Sequence, residues 1–182
     1  MLRKPSSHLL SLFTCALHGG CASTLPPGPG MTVHFSNSKM GKLVGIESAV
    51  TATGAAFSNP GGLSPSTNPM HEGKTMGAAP DSRGLPEWVH FTWLEFPYPS
   101  ISSEPKDYDT WPRKTGRVQV KERVPTEVIN EIIQSNKNTP RNQLPDQKLW
   151  IYLIWTDAGI KLQWRQKSGC CKLLRSGGDQ ID

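Results

Sequence analysis

An antiparallel β-sheet with one covering amphipathic helix, hence an α+β or mainly β domain, is the fold class this chain predicts. Three observations predict it. Trp88 to Phe96 and Ile160 to Arg165 alternate with period two, as half-buried strands do. Leu149 to Trp155 is apolar or aromatic at every position, which suits a strand covered on both faces. A single segment, following Pro125, carries its apolar residues at helical spacing.

The composition narrows the class. With 182 residues there is room for one domain and a tail. Hydrophobic residues make up 36% and charged residues 19%, with 17 Gly and 16 Pro. That is too few apolar residues for a membrane bundle, and six Trp are too many for a wholly disordered chain. No apolar run reaches the roughly 18 residues a spanning helix needs. The formal charge of +5 is spread along the chain, so charge alone does not argue for nucleic acid.

The first segment reads as an export signal spanning residues 1–20. Arg3 and Lys4 form a basic start, His8 to Leu17 a short apolar run, and Gly19-Gly20 precede Cys21. Small residues directly before a cysteine resemble the bacterial lipobox, in which that cysteine is acylated and becomes the mature N-terminus. The position three before the cysteine, usually Leu, is here His18. Ordinary secretion and a plain unstructured leader are the alternatives. On the lipoprotein reading Cys21 is the lipidation site and residues 21–30, with Pro26-Pro27-Gly28-Pro29-Gly30, form a tether. The protein would then be periplasmic and lipid-anchored, on the outer membrane in this reading, and a diacyl or triacyl anchor would hold it stably, since at least two chains are needed for that.

Residues 31–167 form the expected domain. Met31 to Asn37 alternates briefly and predicts a strand, as does Leu43 to Thr53, although Gly45 interrupts it. Residues 59–84 hold five Gly and four Pro after Asn59 with few large apolar residues, which predicts a long loop. Glu87 to Phe96 puts Val89, Phe91, Trp93 and Glu95 on one face and Trp88, His90, Thr92 and Leu94 on the other, and Pro97 stops it. Gly116 to Val124 predicts a strand with Val118 and Val120 facing one way. Pro125 then opens a helix whose Val128, Ile129, Ile132 and Ile133 should pack on the sheet. Thr156-Asp157-Ala158-Gly159 is a tight turn in which Gly159 suits a positive φ. Residues 168–182 are left as a C-terminal tail.

The order Gly84-Leu85-Pro86-Glu87-Trp88-Val89, a Val-Pro-x-Glu-Val helix start, Leu149-Trp150-Ile151-Tyr152 and Asp157-Ala158-Gly159-Ile160 resembles a family of Gram-negative lipoproteins catalogued as domain of unknown function 2931. The resemblance runs from about Ala78 to Gln166 and rests on fold-determining residues. It implies a lipoprotein leader, a Gly-rich middle and a closing hairpin. Some members lie beside type VI secretion lipase effectors. The resemblance therefore implies an immunity protein, whose partner would be a secreted toxin or effector.

No pattern of residues here points to catalysis. Gly73-Lys74-Thr75 suggests a phosphate loop, but the first glycine such a loop needs is replaced by Asn68, and no strand precedes it. No Gly-x-Ser-x-Gly occurs. His34, His71 and His90 have no ligand spacing, so no metal and no cofactor are expected. Cys170-Cys171 are adjacent and would strain a mutual bridge. An intermolecular bridge, a free thiol and an incidental pair remain open. The segment from Ile101 to Lys114 mixes aromatics with charges. Tyr98, Tyr108, Trp111 and Arg113 are its candidate partner-binding residues, since Tyr, Trp and Arg dominate binding hot spots. The alternative is a Pro-bounded connection whose Trp111 plugs the sheet edge. The expected function is an envelope-anchored, non-enzymatic binding protein. A structural envelope lipoprotein or an envelope hydrolase is the alternative.

Overall fold

The five-stranded sheet that organises this protein joins its first strand to segments more than a hundred residues downstream. In the computed structural model, which describes residues 28–77, 84–98, 110–139, 145–169 and 172–181, the strands are β1 (Met31–Asn37), β2 (Lys42–Thr51), β3 (Gly62–Leu63), β4 (Lys74–Gly77), β5 (Trp88–Pro97), β6 (Lys114–Gln119), β7 (Gln147–Thr156), β8 (Gly159–Ser168) and β9 (Lys172–Gly178). One sheet runs β4-β1-β7-β8-β9 and the other β3-β2-β5-β6. The helix α1 spans Thr126–Asn136. The leader with Cys21, Tyr108 and Cys170-Cys171 lie outside the described residues. No described helix is long and apolar enough to cross a membrane.

The mainly β character expected from the sequence is present, but in two sheets instead of one, and one pairing is parallel. β1 lies parallel to β7, with Thr32 opposite Trp150 and Phe35 opposite Leu153. The other pairings between the named strands are antiparallel, and an isolated parallel bridge joins Asn37 to Pro65. β7 is flanked on both sides, as its double-faced apolar pattern requires.

The inward faces of the sheets share one core. Val33, Phe35, Leu149, Ile151, Leu153, Trp155 and Leu162 come from the first sheet, and Val44, Ile46, Val89, Phe91 and Val118 from the second. Trp155 stands edge-on to Phe91 and Trp93, with ring centroids 5.2 and 6.2 Å away, an arrangement aromatic quadrupoles favour. Gly116 leaves room for the Trp93 ring, since a Cβ there would sit 3.1 Å from it.

The helix adds Val128 and Ile132 to this core, and Ile129 packs against it part-buried. Asn136 ends α1 and holds the start of β7: its Nδ2 donates to the Gln147 carbonyl at 2.8 Å, and Gln147 N–H donates to its Oδ1 at 3.1 Å. Asn37 joins the two sheets. Fully buried, it donates through Nδ2 to the carbonyls of Lys42 and Leu63 and accepts from Lys39 N–H, so none of its polar atoms is wasted.

Three sequence expectations need correction. Residues 59–84 are not simply a loop, because they contribute β3 and β4, one edge strand to each sheet. Gly116 to Val124 is not one strand: β6 ends at Gln119 and a 3-10 turn spans Lys121–Arg123. The presumed tail contributes β9, which pairs with β8. The β7–β8 turn is as expected, with Gly159 at φ 117°, a conformation that side chains disfavour.

Candidate functional site

At one end of the four-stranded sheet, strand pairing sets Val44 opposite Glu95 and Ile46 opposite Trp93. Glu95 therefore continues the inward face of β5 to the mouth of the core. Its side chain is only 7% exposed, and a carboxylate so placed must be compensated. Lys39 Nζ donates to Oε1 at 2.6 Å, with Trp93 Nε1 at 3.2 Å. Lys114 and Lys42 reach Oε2 at 2.9 and 3.4 Å. Burial opposes the charge, but the hydrogen bonds from Lys39, Lys114 and Trp93 outweigh it and hold the pKa at about 2.

Beside this cluster lies an open cavity of about 410 Å³, floored by Phe96, Pro97, Trp111 and Pro112 and edged by Lys42 and Lys114. Trp111 rests on Phe96 with ring centroids 4.7 Å apart. At the rim, Tyr98 donates its backbone N–H to the Gly41 carbonyl at 2.8 Å, which fixes Tyr98 beside the Met40-Gly41 turn. Tyr98 is 44% and Met40 64% exposed.

Of the four residues proposed from the sequence, Trp111 lines this cavity and Tyr98 is tied by its backbone to Gly41 of the same cavity. Arg113 stands next to it, but its Nε donates to Glu47 Oε2 at 2.9 Å, so it arrives already paired. Tyr108 lies outside the described residues. Trp111 packs on Phe96, which shares the outward side of β5 with Leu94. Sequence reasoning missed Met40, Lys39, Lys42, Lys114 and Glu95. One signal was present, since Glu95 falls on the apolar face of Val89, Phe91 and Trp93. An acid there needs cations, and the chain supplies them from two separate segments, the β1–β2 turn and the start of β6.

The cluster holds a carboxylate compensated by cations. Glu95 stays ionised at neutral pH and accepts from four donors, so it is poorly placed to act as an acid or base. His34 and His90 lie on different sheets. No three His, Cys, Asp or Glu side chains converge in metal-binding fashion among the described residues. Lys74 of the Gly-Lys-Thr segment donates to the Pro60 carbonyl at 2.9 Å.

No family model matches this chain, and neither a curated protein nor a solved structure matches it. The likeness to the lipoprotein family therefore rests on the residues quoted for it.

Proposed function

We propose that this protein is a non-enzymatic binding protein of the bacterial envelope, and that its partner is a protein presenting an acidic side chain beside an apolar one. The observation that carries the reading is the cavity edged by Lys42 and Lys114 and floored by Phe96, Pro97 and Trp111, with the exposed Met40 and Tyr98 next in sequence to its Gly41 and Pro97. Lys42 and Lys114 share one oxygen of a single carboxylate, and both are about half exposed. Lys42, at 3.4 Å, holds it loosely and gains most by turning to a partner's carboxylate. The apolar floor and rim supply the desolvated contact that hot spots need.

The envelope location comes from the leader, with Cys21 as the acylated residue. Neutralising a secreted toxin, as the lipoprotein resemblance implies, is one form such binding takes. A hydrolase reading has less support, because the one well-buried carboxylate of this site is saturated by donors. The test is binding by the purified chain of the secreted protein encoded beside it. Trp111→Ala should weaken binding about thirtyfold or more, the effect of losing about 2 kcal/mol at a hot spot, while thermal unfolding stays unchanged. Unaltered affinity in folded Trp111→Ala and Lys42→Glu variants removes this surface from consideration.

A further inference from the structure

None of the five strands in the first sheet contains an Asp or a Glu. Strand register places Lys148, Trp150, Tyr152 and Ile154 of β7 opposite Lys167, Arg165, Gln163 and Lys161 of β8, all on the side facing away from the core, where Tyr152 and Ile154 are buried and the other six are part-exposed. The four cations on this face make no ion pair among the described residues. Two of them lie on rings instead: Lys167 Nζ is 4.0 Å from the Trp150 ring centre, and the Arg165 guanidinium is 5.2 Å from that of Tyr152. Lys167 Nζ also reaches the Tyr152 hydroxyl at 3.3 Å. Arg175 of β9, by contrast, pairs with Glu131 of α1 at 2.8 Å. Asp146 and Asp157 are the nearest acids in sequence, and they flank β7 at its two ends.

We propose that this outward face docks on a surface of anionic phospholipid headgroups. The charge on β7 and β8 is of one sign and spread over two neighbouring strands, while Glu72 lies on the same side of the sheet over β1; a spread of cations matches an extended anionic surface better than a groove. Trp150 sits at the end of the sheet where the chain enters β1, since Met31 pairs with Leu149. Met31, the first residue of β1, therefore lies at the same end as Lys148 and Lys167. Trp and Lys are the side chains that settle at a membrane–water boundary. A single-stranded nucleic acid is disfavoured, because it needs open rings for its bases, and Tyr152 is 2% exposed beneath the cations. The contact is separate from the Lys42–Trp111 surface and does not depend on acylation of Cys21.

The test uses the full chain carrying Cys21→Ser and sedimentation with vesicles of phosphatidylglycerol and phosphatidylcholine. Retention is expected on these vesicles, absent on phosphatidylcholine alone, and weakened by salt. Arg165→Gln with Lys167→Gln should lower partitioning roughly fivefold for each cation removed. Lys148→Gln, which disturbs no ring contact, should give one such step on its own. Lys121→Gln with Lys137→Gln makes the same change in net charge away from this face and should leave retention intact. Failure to sediment with the anionic vesicles overturns the proposal, as does an equal loss in both double variants. Retention on a single-stranded oligonucleotide but not on vesicles overturns it in favour of nucleic acid. None of these outcomes bears on partner binding at Trp111, which is read separately.

Discussion

Lys39 Nζ lies 2.6 Å from Glu95 Oε1, and both side chains are less than a tenth exposed. This pair closes the mouth of the core where the β1–β2 turn meets the end of β5. Removing one member leaves the other buried without its partner, which costs about 3–5 kcal/mol in comparable settings. Glu95→Gln should therefore destabilise the domain by roughly 3 kcal/mol, read as a fall in the denaturation midpoint with an unchanged denaturant slope. A loss within experimental error would show the cluster to be solvated.

The same carboxylate predicts an acid transition. Its folded pKa, about 2, lies below the ordinary value of 4.5. Its stabilisation is complete above 4.5 and is lost as the pH falls toward 2. A shift of that size corresponds to about 3 kcal/mol, less the screening that water gives the half-exposed Lys42 and Lys114. The unfolding free energy of Glu95→Gln should be flatter than the parent's across this window. Parallel curves for the two proteins would exclude Glu95 as the source.

His34 predicts a second transition at higher pH. The ring is buried, and its Nδ1 and Nε2 contact Thr75 Oγ1 at 3.0 Å and the Pro69 carbonyl at 3.2 Å. Burial lowers its pKa below 6.5 in spite of the Pro69 and Glu72 backbone contacts, and Lys167 adds to the lowering. The unfolded chain then binds more protons than the folded one just below pH 6.5, so stability falls as the pH drops through that region. His34→Gln should abolish this slope while leaving the one near pH 4. NMR titration of His34 with a midpoint above 6.5 would reverse the sign and refute the reading.

Ile132 and Leu153 are fully buried where α1 meets the sheet. Ile132→Ala and Leu153→Ala should each cost roughly 2–5 kcal/mol. Values under 1 kcal/mol would mean that α1 packs loosely against β7.

Replacing Cys21 by Ser should move the protein from the membrane fraction to the soluble periplasm and remove the mass of the acyl chains. Unchanged mass and fractionation would end the lipoprotein reading.

What could be read from the residues was what depends on short-range pattern. Leu149 to Trp155 announced a central strand because both of its faces are apolar, and Gly159 announced its turn. β9 went unseen because Leu173 and Leu174 remain half exposed and Gly177 and Gly178 lack side chains. Gly177 is small because the Trp164 ring lies against it, 2.8 Å from where a Cβ would stand. β4 offers only Met76 to the core, too little to signal a strand. The parallel pairing of β1 with β7 has no local signature at all. In the candidate site, Tyr98 and Trp111 were legible as aromatics between prolines, whereas Lys39, Lys42 and Lys114 acquire meaning only once two distant segments meet at Glu95.

The union of β1 with β7 also orders events in time. β2, β3, β5 and β6 all lie within residues 42–119, so the four-stranded sheet can assemble as soon as that stretch is available. The five-stranded sheet cannot, because the register that sets Val33 against Ile151 waits for almost the whole chain. Until β7 arrives, Val44, Val89 and Phe91 face water, and β1 has only the short β4 to hold. Contacts between such distant segments form slowly, and the exposed intermediate is prone to stick to its neighbours. Residues 147–168, which supply β7 and its hairpin partner β8, are thus the stretch without which the core stays open.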